Sequence, residues 1–401
     1  MNFEFTSEQT QLADTVRRLI EKDYGFDTRK RIVSSKTGTS DEVWAKLVDL
    51  GLTALPMPEA QGGFDGGAVD LLLVMQELGR GLMAEPYFAT IFAAEFVKRA
   101  GDDAQRARLD EVAGGSLKMA AALGEGESRH DLSVVALKAE ASGSGYTLSG
   151  RKSVVLFGAQ ADRLIVSARL SPGEDGLALF VVDGDARGIT RKDLRTLDGQ
   201  RVAEIFFDHV DVGADGLLAR GAAARELLDA VTDYGIALLC AEAVGVMDAM
   251  NAATLEYAKT RKQFGQPIAR FQVLQHRMVE MFMHLEQARS MAYLAAVKAA
   301  SPDARERRRI ASAAKVRVGQ AARFIGQQAV QIHGGMGVTN ELPAAHLFKR
   351  LTMIELTLGD TDHHLQRFIA ASGDAGTTVA AESADTAGAP AAMAAPLQRA
   401  A

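Results

Sequence analysis

Cysteine is almost absent from this chain. One residue of 401, Cys240, has a thiol, so a framework of disulfides within the chain is excluded. This usage is typical of a protein from a reducing compartment and predicts a cytoplasmic location. Cys240 lies in the apolar run "IALLCAEAVGV", where a small buried hydrophobe is expected rather than a nucleophile.

A positive charge excess and a membrane-length apolar run are also lacking. The 45 Lys and Arg against 51 Asp and Glu give a net charge of −6, which offers no attraction to nucleic acid. We expect no membrane span, because no apolar run reaches about 18 residues. The N-terminus "MNFEFTSEQTQL" lacks the basic and apolar regions of a secretory signal. Thr6 and Gln9 in it predict instead a capping box at a helix start.

Familiar catalytic and metal-binding motifs are missing as well. The sequence has no CxxC, no HExxH and no serine elbow. The adjacent His363 and His364 would point about 100° apart on a helix and would not readily share one ion. No metal site is predicted.

The chain does contain three successive regions with different residue patterns, and they predict an α+β multidomain fold. Residues 1–115 have helical periodicity broken by turns, and residues 116–217 alternate like short antiparallel strands. Residues 218–371 hold four long apolar-faced segments, 221–261, 271–299, 302–333 and 343–357, which predict a four-helix bundle. Their high apolar content favours oligomerisation. Residues 372–401, rich in Ala, Gly, Ser and Thr, are expected to form a disordered tail.

The segment "YAKTRKQFGQPIARFQ" predicts a helix end followed by a tight turn at Phe264-Gly265. An arginine beside such a turn, Arg261, suits an anion such as a diphosphate because its guanidinium forms a planar charged fork. Alternatively, Arg261 and Lys262 only complement the negative C-terminal end of the helix dipole. The residues alone leave both interpretations open.

The segment "QIHGGMGVTNELP" contains Gly334 and Gly335, whose bare backbone would let a phosphate or a ring edge approach. A helix–helix turn needs the same glycines, so this signal is weak by itself. No strand is predicted before them, which excludes a Rossmann dinucleotide site. His333 is expected to be a packing residue.

The last motif is "ELTLGDTDHHLQRF", in which Gly359 and Asp360 interrupt a helical pattern. Asp360, Asp362 and His363 would suit an acid–base set. A helix start with Asp360 or Thr361 as its N-cap explains the same residues more simply.

With its helical, β and helical regions in this order and its two glycine-containing segments, the chain resembles the acyl-CoA dehydrogenase flavoproteins. The resemblance covers nearly all of the chain up to about residue 371. Within that family the sequence is most similar to small subunits of pimeloyl-CoA dehydrogenases. The resemblance implies FAD as cofactor and an acyl-CoA thioester as substrate. It also implies a dimer or tetramer in which subunits complete each other's FAD site, and an electron-transfer flavoprotein as acceptor.

The resemblance also implies roles for particular residues. Those that would contact FAD are Arg261, Gln263, Phe264, Gln331, Gly334, Gly335, Thr361 and His363. The first six would serve a neighbouring subunit. In the family a glutamate removes the α-proton of the acyl group while a hydride leaves its β-carbon for the flavin.

This chain departs from the family at the base. Gly359 stands where the family keeps its glutamate, and Gly235 stands at the alternative position for that base. Asp360 and Asp233 are nearby carboxylates and therefore candidate bases, although a small misplacement of a base is costly.

The segments that contact the flavin in this family are also changed in this chain. The family's Thr-Glu-Pro-Gly loop corresponds to "GEGESRHD", which retains only Glu125 and Asp131, and its Trp-Ile-Thr corresponds to Val154-Val155-Leu156. Residues that would serve the chain's own flavin are changed, whereas those lent to a neighbour are kept. The sequence therefore favours a partner subunit that completes the FAD site of a homologous larger chain. Independent catalysis with an unusual base and another flavoprotein chemistry remain the alternatives.

Overall fold

The structure is a computed structural model that describes residues 5–170 and 176–373. The predicted tail, 372–401, lies outside the described residues except for its first two. Within the described part the expected α+β architecture is confirmed: helices, then a sheet, then helices.

The N-terminal part is helical and begins with the predicted cap. The Thr6 hydroxyl accepts the amide of Gln9, and the Gln9 side chain accepts the amide of Thr6, which forms a capping box. The helices are α1 (Ser7–Asp23), α2 (Phe26–Ser34), α3 (Asp41–Asp49), α4 (Ala68–Arg80), α5 (Tyr87–Ala100), α6 (Asp103–Ala107) and α7 (Leu109–Ala113).

The middle part is an eight-stranded sheet. Its strands are β1 (Met119–Ala122), β2 (Lys138–Ser142), β3 (Gly145–Leu156), β4 (Arg163–Arg169), β5 (Leu177–Asp183), β6 (Ile189–Arg195), β7 (Arg201–Gly213) and β8 (Leu217–Arg220). The order is β6-β7-β3-β2-β4-β5-β8, and β1 pairs with β4. Most pairings are antiparallel as predicted, but β4 runs parallel to β1 and, at one residue pair, to β2. A bulge in β3, between Lys152 and Val155, faces the helical parts.

The C-terminal part holds α8 (Gly221–Thr260), α9 (Gln272–Lys298), α10 (Ala304–His333), α11 (Pro343–Leu356) and α12 (Thr361–Ser372), and a short hairpin, β9 (Lys262–Gln263) with β10 (Gln266–Pro267). Helix α12 adds a fifth helix to the four that were predicted. By length and composition α8 alone among the described helices is apolar enough to cross a membrane, but 72% of its most apolar window is buried inside the structure. Both helical parts share one hydrophobic core around α8.

Two buried arginines, Arg350 and Arg29, join the three parts. Arg350, on α11, donates to both carboxylate oxygens of Glu242 on α8, at 2.6 and 2.8 Å. It also donates to Asp198 and Gln200, which lie between β6 and β7, at 2.9 Å each. Arg29 of α2 donates to the Asp198 carbonyl at 3.1 Å and to the Leu82 carbonyl. This network fixes how the sheet sits against both helical parts.

We expect Arg350→Met to lower the free energy of unfolding by about 3–5 kcal/mol, because it leaves Glu242 and Asp198 buried without their counter-charge. Arg108→Met is the matched control: its partner Glu111 is about two-fifths exposed, and such pairs contribute about 0–1 kcal/mol. Urea unfolding of both variants measures the difference. Equal losses would contradict the structural role of the network.

Glu85 is buried, and only one of its two carboxylate oxygens has a hydrogen-bond partner. It is 4% exposed, its Oε2 accepts the Ser40 amide at 3.0 Å, and its Oε1 has no partner. Burial raises the pKa of Glu85 to about 7. The folded chain therefore binds this proton more tightly than the unfolded chain, and stability is lost as the pH rises through 7.

Glu85→Gln should remove that part of the pH dependence. Relative to wild type, the variant should gain on the order of 2 kcal/mol of unfolding free energy between pH 5 and pH 8. Urea titrations at the two pH values measure it, with Glu140→Gln on the exposed face of β2 as the control. Parallel pH profiles for wild type and Glu85→Gln would show that Glu85 does not titrate in this range.

Candidate active site and cofactor-facing surface

An apolar cavity of about 450 Å³ lies where all three parts of the fold meet. Helix α5 contributes Phe88 and Phe92, which stack with their ring centroids 5.5 Å apart. The β1–β2 loop contributes Glu125 and the segment before α12 contributes Leu358. A cavity of this size at a domain junction is the usual setting for a small-molecule site.

The β1–β2 loop is held from behind by a buried ion pair. Lys152 is fully buried and donates to Glu125 at 2.7 Å and to the Ser167 hydroxyl at 2.8 Å. Burial lowers the pKa of Lys152 to about 8. Glu125 also accepts the amides of Ala136 and Leu137. Its retention in the sequence therefore has a structural explanation.

A second buried lysine holds the segment between α11 and α12. Lys315, on α10, donates to the carbonyls of Glu355, Thr357 and Gly359 at 3.0, 2.7 and 2.5 Å. Burial lowers the pKa of this ammonium to about 8. Glu355 in turn accepts the amide and the hydroxyl of Thr361. In this chain, hydrogen bonds thus fix the segment that corresponds to the one with the catalytic glutamate in the family.

Neither base position has room for a side chain. A Cβ on Gly359 would lie 2.6 Å from ring atoms of His363 and His364, and its φ of +109° is unfavourable for any other residue. A Cβ on Gly235 would lie 2.6 Å from the Phe92 ring and 3.0 Å from Leu358. Side chains that line or border the cavity therefore fill both places.

The two candidate bases are already engaged. Asp233 is buried between Arg367 at 2.7 Å and Arg307 at 3.3 Å, although burial raises its pKa. Asp360 is the N-cap of α12 and accepts the His363 amide at 2.8 Å. Its second oxygen lies 3.3 Å from Nε2 of His130. The His363 amide and then His130 lower the pKa of Asp360, which makes it a weaker base.

The backbone around the cavity is strained. Arg129, Val154 and Leu358 all line it and all have positive φ, between +48° and +57°. For a branched residue such as valine this is a rare conformation, and such residues cluster at functional sites. Val154 is 64% exposed and presents methyl groups in place of a hydrogen-bonding side chain.

The predicted contacts for a neighbour's cofactor lie elsewhere, on the β9–β10 hairpin. Its turn, Phe264-Gly265, has positive φ at both residues, +53° and +77°, as a tight I′ turn requires. Phe264 is 91% exposed. Arg261 and Gln263 are exposed beside it. A large aromatic ring held out in strained backbone points to contact with another molecule.

The glycine segment lies next to this hairpin. The Tyr257 ring, one turn before Arg261, stacks on His333 with centroids 4.4 Å apart, and its hydroxyl donates to the His333 carbonyl. His333 is therefore a packing residue, as expected. Gly334 and Gly335 follow it, and nothing lies within 4 Å of a Cβ at either.

The eight predicted cofactor residues divide between two places. The six lent residues, including the exposed Gln331, do not line the cavity. Thr361 is adjacent to it but bonded to Glu355. His363 lines a second, polar cavity of about 340 Å³ together with His130.

Sequence reasoning missed His130, Arg129 and Lys315. The only signal for the first two was a charged pair in a loop where the family has small residues. Lys315 gave no signal, because a lysine in a long helix is ordinarily exposed.

With this geometry in place, comparison with known proteins is decisive. The chain matches the acyl-CoA dehydrogenase N-terminal domain over residues 6–115, the middle domain over 120–210 and the C-terminal domain over 227–372. The chain belongs to the acyl-CoA dehydrogenase family. It is thus a member of a family of FAD-dependent oxidoreductases that act on acyl-CoA.

Relatives match over most of their length. The probable acyl-CoA dehydrogenase YngJ of Bacillus subtilis is 28% identical over 382 residues, which is 92% of this chain and 99% of that protein. Butyryl-CoA dehydrogenase from Megasphaera elsdenii superposes with a TM-score of 0.85 at 26% identity, over 93% and 100% of the two chains. The Tcur3481-Tcur3483 steroid ACAD gives 0.84 at 28%, over 91% and 98%.

For an acyl-CoA dehydrogenase, the fit to FAD differs between the two places. At the chain's own cavity, the residues at the flavin-covering position are Val154 and Leu156, which cannot hydrogen-bond a flavin ring. At the hairpin, Arg261 is exposed, and Phe264 is 91% exposed with its ring edge-on to Phe271. Exposed arginine and aromatic side chains therefore lie at the hairpin, whereas the residues that β3 contributes to the cavity at Val154 and Leu156 are aliphatic.

Restoring the family's glutamate should fail in this chain. Gly359→Glu should lower the free energy of unfolding by about 2–4 kcal/mol, because of positive φ and overlap with both histidines. Gly62→Ala is the control: it shares a positive φ, but nothing lies within 4 Å of its Cβ. Urea unfolding and flavin reduction by an acyl-CoA measure the outcome. A stable variant with faster reduction would show that the base position is open.

Proposed function

We propose that this chain is a subunit of an FAD-dependent acyl-CoA dehydrogenase that completes the FAD site of a homologous, larger catalytic subunit. One contrast carries the proposal. The chain's own base position, Gly359, is closed by histidine rings, while Phe264, which would face the cofactor, is 91% exposed.

In that role each lent residue has a chemical task. The guanidinium of Arg261 would bind the diphosphate through charge-assisted hydrogen bonds. Phe264 would pack against the adenine. Gly334 and Gly335 would bring bare backbone close to the cofactor, and Gln263 and Gln331 would supply amide hydrogen bonds. FAD, when bound, supplies the acceptor for the hydride that leaves the β-carbon of the acyl group.

The finer assignments rest on resemblance. The expected assembly is a heterotetramer, and a relative at 28% identity, the Tcur3481-Tcur3483 steroid ACAD, has a name that joins two components. A homo-oligomer is the alternative. Pimeloyl-CoA or another dicarboxyl-CoA is the proposed substrate, and an electron-transfer flavoprotein is the proposed acceptor.

Independent catalysis is the second candidate, and one feature favours it. The chain keeps an apolar cavity of about 450 Å³, and Arg129 lines it. A guanidinium there would pair with the distal carboxylate of a dicarboxyl-CoA. In this case Asp360 or Asp233 would serve as the base.

The test compares the chain alone with its complex. The chain should purify without FAD, and the complex with its larger partner should contain it. In the complex, Arg261→Ala and Phe264→Ala should each weaken FAD retention about tenfold or more, because each removes an exposed interface contact. Flavin absorbance after dialysis measures the loss.

Lys259→Ala is the matched control. Lys259 is exposed in the last turn of α8 and pairs with Glu256 on the surface, so its loss should leave FAD retention unchanged. Stoichiometric FAD in the lone chain, bleached by an acyl-CoA, would refute the partner role. In that event, loss of reduction in Asp360→Ala would identify the base.

A further inference from the structure

Two cavities in this chain are separated by a thin partition. The apolar cavity and the polar cavity share the side chains of His130, Leu132 and Leu358 in their walls. The partition is therefore about one side chain thick. His130 is the polar member of that wall.

The polar cavity is lined by charged side chains that already pair with one another, Arg308 and Arg367 both with Asp229. Arg225, Arg308 and Arg367 line it, against the carboxylates Asp131 and Asp229. Nε of Arg308 and Nη2 of Arg367 are buried without a hydrogen-bond partner. A ligand that extended from the apolar cavity into the polar one would have to cross this partition.

His130, which lies in both cavity walls, also contacts Asp360, the residue before α12. Nε2 of His130 lies 3.3 Å from Oδ2 of Asp360, and each side chain is only about a quarter exposed, at 26% and 25%. The ring of His363 faces His130 from the polar side, with centroids 5.8 Å apart. The pair thus joins the β1–β2 loop to the start of α12.

Both partners are anchored, so the pair differs from an ordinary surface ion pair. Asp360 caps α12 through the His363 amide, and Lys315 fixes the carbonyl of the preceding Gly359. The loop that presents His130 is tied down by Glu125 and Lys152. Two fixed segments leave little freedom for the two side chains to move apart.

We propose that His130 and Asp360 form an occluding contact that keeps acyl thioesters out of this chain's own cleft. The inference rests on the proposed partner role and extends it: the complex would bind substrate at one cleft for each pair of chains. A thioester that entered this chain would have to break the pair and displace the imidazole. The contact also denies Asp360 the freedom that a base would need.

The experiment uses the complex of this chain with its larger partner and a non-reducible probe, S-hexyl coenzyme A. Isothermal titration calorimetry should count one probe for each pair of chains in wild type. His130→Ala and Asp360→Asn in this chain should each raise the count to two, or tighten a weak second site at least tenfold. Asparagine still caps a helix, so the second variant removes the charge and leaves the fold of α12 intact.

Matched controls are Glu127→Gln, on the same loop, and Asp362→Asn, in the same first turn of α12; both residues are exposed and neither lines a cavity. Both should keep the wild-type count. Two probes for each pair in wild type, or an unchanged count in both His130→Ala and Asp360→Asn, would overturn the occluding contact. Flavin content tests the partner role separately, because one FAD for each chain would refute that role whatever the probe count.

Discussion

The buried guanidinium of Arg350 is the interaction on which the relative placement of everything else depends. Its partners come from α8 and from the turn between β6 and β7, so this side chain ties the sheet to the C-terminal helices, and Arg29 ties the same turn to α2. The apolar cavity exists only because α5, the β1–β2 loop and the segment before α12 meet in that arrangement. Buried charge pairs add little stability over an apolar core, and here the pair specifies geometry.

At this site the backbone conformation around the cavity does not depend on the presence of catalytic side chains. Arg129, Val154 and Leu358 have positive φ around a cavity whose nearby carboxylates, Asp233 and Asp360, are held in other contacts. Lys152 and Lys315 hold the two bordering segments as firmly as an active site would need. The scaffold is retained because the same segments also pack the three parts of the fold together.

Local features were predictable from the sequence. The capping box at Thr6, the turn at Phe264-Gly265 and the glycine at the base position each depend on a few neighbouring residues. The contact of His130 with Asp360 was not predictable, because it joins two loops from different parts of the fold. The parallel pairing of β1 with β4 escaped for the same reason: alternation of residues predicts strands but not which strand lies beside which.

The hairpin that carries Phe264 affects how the chain behaves before it assembles with another subunit. An unassembled copy would expose that ring to water on backbone with positive φ. Exposed apolar groups of this kind are what chaperones bind and what drives aggregation. The surface of this hairpin therefore disfavours accumulation of the unassembled chain.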